Sequence, residues 1–292
     1  MRVYCVGAFV YFPAGLLDQL DTIASQDNVE LFVGLLEKDG SETSYSWTLE
    51  QRALLLGSLK SVTLVAPAPL ILEEAFIKDQ AIDAVYHMVP TNQNSKDCDK
   101  RFAVPMALGI YRTIRYESGI PTPNSGWDNV WETKGQKNDQ SNIRLLTGYD
   151  GTDFEPEPFA ERWRKAINYM EGEIVLDVGC GAGYLGDYLP FDGYVGVERS
   201  LSLADNFIRR SSRVVVVQDA MNLPFEDGAF DHVISHSMLE YMPTKEAAIQ
   251  SLREMQRVSR KTVFVGNFRS WQAPPCPEKY IVKGSFRHTL FQ

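Results

Sequence analysis

Between Glu173 and Gly186 the chain reads EIVLDVGCGAGYLG, an aliphatic run that closes on Asp177 and passes at once into glycines at 179, 181, 183 and 186. No other stretch restricts the fold as much. An apolar run of this kind needs burial on both faces, as a strand of a parallel sheet does. Glycines at alternate positions let the chain turn sharply out of the strand, with no Cβ between its backbone and whatever lies against the strand's carboxyl end. The segment predicts a strand, a tight turn and a following helix, the opening unit of a doubly wound α/β domain.

The flanking sequence continues that rhythm. A helix is expected over Glu157–Met170, strands at Tyr194–Val197, Arg213–Gln218, Phe230–Ser235 and Thr262–Asn267, and two further short strands at Lys279–Val282 and Arg287–Phe291. The first half shows the same alternation: strands at Arg2–Phe9, Glu30–Leu36, Ser61–Val65 and Ala84–His87, with helical segments Leu16–Ser25, Leu49–Leu59 and Glu73–Gln80 between them. A length of 292 residues suits two compact units. The expected fold class is therefore α/β with two doubly wound, Rossmann-like domains. Pro121–Asn142 interrupts the pattern, being rich in Pro, Gly, Asn, Asp and Lys and poor in aliphatic residues, and reads as a linker whose Trp127 and Trp131 could pack on either side. The expected boundaries are 1–122, a linker over 123–145, and 146–292.

Composition narrows the function classes. Hydrophobic residues make up 44% and charged residues 23%, the balance of an ordinary folded protein. A net charge of −9 argues against a phosphate backbone as partner, so the expectation is no nucleic acid. The four cysteines, Cys5, Cys98, Cys180 and Cys276, form no metal-ligand or redox spacing, so no metal is expected and the thiols read as reduced. The weakly charged start, Val3 to Leu17, has only Arg2 as a basic flank and reads as strand plus buried turn, not a signal peptide. No run has the length of a membrane helix, and a cytoplasmic protein without membrane contact is expected.

The glycine loop alone is ambiguous, because Gly181-Ala-Gly183-Tyr-Leu-Gly186 also satisfies the dinucleotide fingerprint, with Glu198 placed to hold a ribose. Three features point elsewhere: Asp177 precedes the first glycine, Glu198 closes the second strand (YVGVE), and Asp219-Ala220-Met221 closes the third (VVVVQDAMNLPF). With Leu223-Pro-Phe-Glu-Asp-Gly-Ala-Phe-Asp231 and the strand HVIS, the span from Glu173 to Met242 resembles the small-molecule branch of class I S-adenosylmethionine-dependent methyltransferases. The resemblance implies that Asp177, Gly179, Cys180, Gly181 and Gly183 hold the methionine part. It implies that Glu198 and Arg199 lie at the ribose, and that Asp219 with Ala220 or Met221 meets the adenine edge. His236, directly after the fourth strand in SHSMLEYM, has two readings: a general base for the acceptor's proton, or a packing or cofactor-contacting residue. Tyr149 is a candidate for a flap over the site or an ordinary loop residue, and His288 for the pocket or the surface.

The opening, RVYCVGAFVYFPAGLL, resembles cytidylyltransferases of the choline-phosphate and ethanolamine-phosphate type, with the likeness continuing through TLEQRALLLGSLKSV, where Arg52 reads as part of a helix near the nucleotide, to VPMALGIYRTIRYESGIPT. Pro13 and Leu16 stand where that family has two histidines, and Val10 where it has an aspartate. Neither Pro nor Leu donates a hydrogen bond from its side chain, so charge on a transferring phosphate would go unstabilised. The first domain reads as catalytically dead, open to binding a nucleotide or phospho-alcohol through Arg52, Arg112 or Arg115, or to pairing two copies. The expected activity is methylation of a small molecule, phosphorylated if the first domain's ancestry bears on it. The alternatives are a non-catalytic sensor or scaffold that binds the cofactor, or residual cytidylyl transfer.

Overall fold

The computed structural model describes residues 1–7, 9, 12–36, 48–91, 100–117, 126–137, 143–147, 155–189, 191–211 and 213–266. The chain divides into two compact units, 1–119 and 120–292.

The first unit runs β1 (Arg2–Gly7), α1 (Ala14–Ala24), β2 (Glu30–Leu35), α2 (Leu49–Ser58), β3 (Leu64–Pro67), α3 (Glu74–Asp79), β4 (Ala84–Pro90), α4 (Ala103–Ala107) and β5 (Tyr111–Tyr116). Its sheet has the order β3-β2-β1-β4-β5, every pair parallel. One face of it buries Tyr4, Val6, Phe32, Val85 and Phe102 with Leu72 and Ile77. Thr48 starts α2 with a reciprocal cap, its hydroxyl accepting from the Gln51 amide while the Gln51 side chain accepts from Thr48 N–H. The strand β5 lies within the stretch VPMALGIYRTIRYESGIPT compared above with cytidylyltransferases; its YRTIRY pattern is that of a sheet edge with most side chains outward. Arg52 lies on α2, as expected. It is buried, and its guanidinium donates to the Leu36 carbonyl at 2.9 Å.

The second unit contributes α5 (Gly126–Gln136), α6 (Ile143–Thr147), α7 (Pro156–Ala166), β6 (Ile174–Val178), β7 (Gly193–Glu198), α8 (Leu201–Arg210), β8 (Val214–Val217), β9 (Phe230–His236), α9 (Lys245–Val258) and β10 (Ser259–Gly266). The sheet order is β10-β9-β6-β7-β8, again all parallel among the described residues. In both units chain order reverses beside the first strand, between β1 and β4 and between β6 and β9, the place where doubly wound sheets open a crevice at their carboxyl ends. The stretch expected as a linker differs from expectation: 126–136 is helical and α5 lies against α8. Its Gly135 is what permits the approach, since a Cβ there would sit 2.6 Å from Ser202 Cβ. The two tail strands expected beyond Gly266 lie outside the described residues. Among the described residues no helix is long and apolar enough to cross a membrane.

At the amino-terminal edge of this sheet Glu173 is buried, accepting from the Met170 amide at 2.7 Å and from Lys261, with His232 Nε2 at 2.8 Å. Burial alone would raise its pKa; the Lys261 ammonium, the amide and the imidazole outweigh burial and hold it down at about 2.

Candidate functional site

The carboxyl ends of β6, β7, β8 and β9 gather the residues expected from the sequence. Asp177 is the fourth residue of β6, and the chain then turns through Gly179, Gly181 and Gly183, all at positive φ (80°, 59° and 80°); residues 179–189 form turns and not the helix expected after the glycines. The backbone amides of Gly179 and Cys180 both donate to the Val197 carbonyl, at 2.8 and 3.1 Å, which pins the turn to β7. The three glycines differ in what surrounds them. A Cβ on Gly179 would run into Met238 and one on Gly183 into Phe207, whereas at Gly181 the nearest atom would be Thr147 Cγ2 at 3.9 Å. Among the described residues, Gly181 alone of the three would accept a Cβ without a clash, so its glycine is required by positive φ and not by a close protein neighbour.

Glu198, the last residue of β7, is buried and reaches back across the turn. One carboxylate oxygen accepts from Gly181 N and the other from Ser200 N, each at 2.8 Å. Burial nevertheless pushes its pKa up, because two amide bonds do not replace full hydration. Asp177 is also buried, and its pKa is pushed up to about 7, chiefly by burial. The Tyr194 hydroxyl, donating to it at 2.7 Å, opposes the rise, and the Glu198 carboxylate adds to it. Cys180 is a buried thiol whose pKa burial likewise raises, so it is no thiolate nucleophile.

After β8, Asp219 accepts from Arg199 Nη1 at 2.6 Å and from Met221 N at 2.8 Å, closing the Asp219-Ala220-Met221 turn. His236 ends β9 with its ring 5.1 Å from that of Trp163 and Gly266 beside it on β10. Burial lowers its pKa to about 3. Such an imidazole is neutral across physiological pH and a weak proton acceptor, which favours the packing or cofactor-contacting reading over the general base. Ser237, next in the chain, holds φ of 53°, an uncommon conformation for a residue with a side chain, at the mouth of the crevice. Tyr149 and His288 lie outside the described residues.

The sequence reading missed α5 altogether. Asp128 on this helix pairs with Arg199 Nε at 3.5 Å. Glu132, one turn on, accepts from Ser200 Oγ at 2.8 Å, from Ser202 N at 3.2 Å and from the Ser202 hydroxyl. Trp131 meets Tyr241, beyond β9, edge to face at 5.1 Å. The only trace of this in the sequence is the i, i+4 spacing of two acids in a polar stretch.

Residues 176–265 match the family of methyltransferase domains. A tRNA (carboxymethyluridine(34)-5-O)-methyltransferase of Xenopus tropicalis is 39% identical over 104 residues, 34% of this chain and 16% of that protein. A malonyl-[acyl-carrier protein] O-methyltransferase of Geobacter sulfurreducens is 35% identical over 94 residues, 30% of this chain and 35% of that protein. A sugar N-methyltransferase from a Streptoalloteichus species, known as a crystal structure, is 22% identical, with a TM-score of 0.37 over 44% of this chain and 54% of that one; that likeness is weak, and nothing below rests on it. The chain thus spans from about a sixth to about a third of the length of the two curated relatives. The match over 176–265 lies within the second unit and lends no support to the cytidylyltransferase likeness of the first. It also corrects the exclusion of nucleic acid: relatives named for tRNA match an acidic chain. Net charge sums the whole surface, whereas phosphate contacts need only a local field.

Proposed function

We propose, from the class I S-adenosylmethionine-dependent methyltransferase domain that the C-terminal half carries, that the crevice at the carboxyl ends of β6, β7 and β8 holds the cofactor and that the acceptor is a small molecule. The observation that carries the cofactor site is the convergence of Gly181, Glu198 and the Asp219 turn on three adjacent strand ends, with the Gly181 amide held by the Glu198 carboxylate. In this reading Glu198 uses its remaining lone pairs for the ribose hydroxyls, Asp219, Ala220 and Met221 border the adenine, and Asp177 with the glycine turn takes the amino-acid end. A carboxyl poised near neutrality suits that last task, since an approaching ammonium favours its ionised form.

When bound, the cofactor supplies an already activated methyl group on a sulfonium. The protein's part is to orient and desolvate: the turn fixes one end, Glu198 the middle, and His236 with Trp163 supplies an apolar, uncharged wall. An acceptor that must lose a proton gives it to water or to a group other than the His236 ring, whose basicity is too low.

Support for a small-molecule acceptor comes from the likeness of the motif set to that branch; the malonyl-[acyl-carrier protein] relative is named for an acyl group borne on a carrier protein. The names of the tRNA relatives favour a second reading, a nucleoside in RNA. For the first unit, we read a cytidylyltransferase-like domain that has lost its chemistry, supported by its 3-2-1-4-5 parallel sheet and by Pro13 at the N-cap of α1 with no side-chain bond to offer. The test of the acceptor is transfer of labelled methyl from S-adenosylmethionine to a low-molecular-weight metabolite fraction and, separately, to total RNA. Label in the metabolite fraction supports the first reading, and label confined to RNA replaces it with the second.

A further inference from the structure

The helix α5 precedes the methyltransferase motifs in sequence and belongs to none of them, yet its side chains reach the residues next to both expected nucleoside contacts. Asp128 and Glu132 stand one turn apart and so share a face of the helix. From Glu132 a chain of hydrogen bonds runs through the Ser200 hydroxyl (2.8 Å), to whose residue Glu198 is joined at Ser200 N (2.8 Å), and on from Glu198 to Gly181 N (2.8 Å). From Asp128 a second chain runs through Arg199 (3.5 Å) to Asp219 (2.6 Å) and Met221 N (2.8 Å). Each chain ends on a carboxylate at a different strand end, β7 and β8. The helix is held firmly enough to act on them. Asn206 Nδ2, buried on α8, donates to the Gly135 carbonyl at 2.8 Å, and Leu203 on α8 packs with Trp131 of α5 and Leu146 of α6.

We propose that Asp128 and Glu132 are positioning residues that set Asp219 and Glu198 for the adenosine half of the cofactor. The inference rests on the cofactor placement proposed above. Glu132 satisfies the first turn of α8 with its own carboxylate, which leaves the Ser200 backbone free to hold Glu198 in one rotamer; without it the hydroxyls of Ser200 and Ser202 turn to other partners and Glu198 loses its fixed direction.

The experiment is calorimetric titration of the full chain with two probes: S-adenosylhomocysteine, and methylthioadenosine, which shares the adenosine half and lacks the amino-acid end. Glu132→Gln is expected to weaken both by about tenfold, the effect of losing roughly one charge-assisted hydrogen bond. In a Glu198→Gln background the same change is expected to cost nothing further, because it acts through Glu198. Asp177→Asn, at the other half, is expected to weaken S-adenosylhomocysteine and spare methylthioadenosine. Full affinity in Glu132→Gln, or a loss that adds in full to that of Glu198→Gln, overturns the inference while the cofactor site stands. Full affinity in Glu198→Gln overturns the cofactor placement itself, and the inference with it. Should Glu132→Gln not fold, Asp128→Asn with Asp219→Asn forms the parallel cycle and is read in the same way.

Discussion

At the scale of single residues, two buried titratable groups at the carboxyl end of one sheet have had their pKa values moved in opposite directions by one cause, burial, which favours the neutral form of each. Asp177 has its pKa raised in the fold to about 7 against an ordinary value of 3.8. A carboxyl raised in this way favours its neutral form, so its contribution to stability is present at low pH and is lost as pH rises from about 4 towards 7. Cofactor binding has the reverse dependence, because the ammonium of the amino-acid end pairs with the ionised form. Affinity for S-adenosylhomocysteine should therefore increase between about pH 6 and pH 8, and Asp177→Asn should flatten the profile; a steep profile in the variant would remove Asp177 from the account. His236 is held neutral by burial, with its pKa near 3. Its ring should show no titration by NMR between about pH 5 and 8, and His236→Gln should reduce kcat by less than about tenfold, where a true general base costs about a hundredfold or more. The sequence showed where both residues stand; it could not show that one is a poor base, since that follows from Trp163 and Gly266 closing around the ring.

At the scale of elements, the strands of both sheets other than β5 were legible because parallel strands buried on two faces are near-continuous apolar runs, as VVVV at β8 and VYCV within β1 are. The helix α5 was not legible, and for a physical reason. Its outer apolar residue Val130 is exposed, and it is fixed by Asp128, Glu132 and a close-approach glycine, none of which gives a periodic hydrophobic signal. The strand β5 was hidden in the same way by its outward-facing edge residues. A different element-level device is the cluster around Glu173, which ties the start of β6 to β9 and β10 through His232 and Lys261. With its folded pKa lowered to about 2 from 4.5, Glu173 contributes stability that is complete above about pH 4.5 and fades as pH falls towards 2. The Glu173→Gln variant should lose stability at neutral pH and show a shallower decline in acid, measured by urea midpoints across that range; parallel acid profiles for the two proteins would contradict the assignment.

At the scale of the whole molecule, the chain is two doubly wound units with the same strand order, and the match to methyltransferase domains falls in the second. The first carries Pro13 and a buried Leu16 at the start of α1, and in the cytidylyltransferase-like reading proposed above neither side chain could donate to a phosphate. Incubation with CTP and phosphocholine or phosphoethanolamine should release no pyrophosphate above background, and release above it would restore transferase chemistry to that unit. The central claim concerns the crevice above β6, β7 and β8, and the fingerprint ambiguity of its glycine turn makes one comparison decisive. Calorimetric titration of the full chain with S-adenosylhomocysteine and, in parallel, with NAD should give one-to-one binding of the first and none of the second, with Gly181→Arg abolishing the signal because a long side chain at this positive-φ turn would stand where the ligand lies. Binding of NAD in preference, or undiminished binding of S-adenosylhomocysteine by Gly181→Arg, would contradict the account.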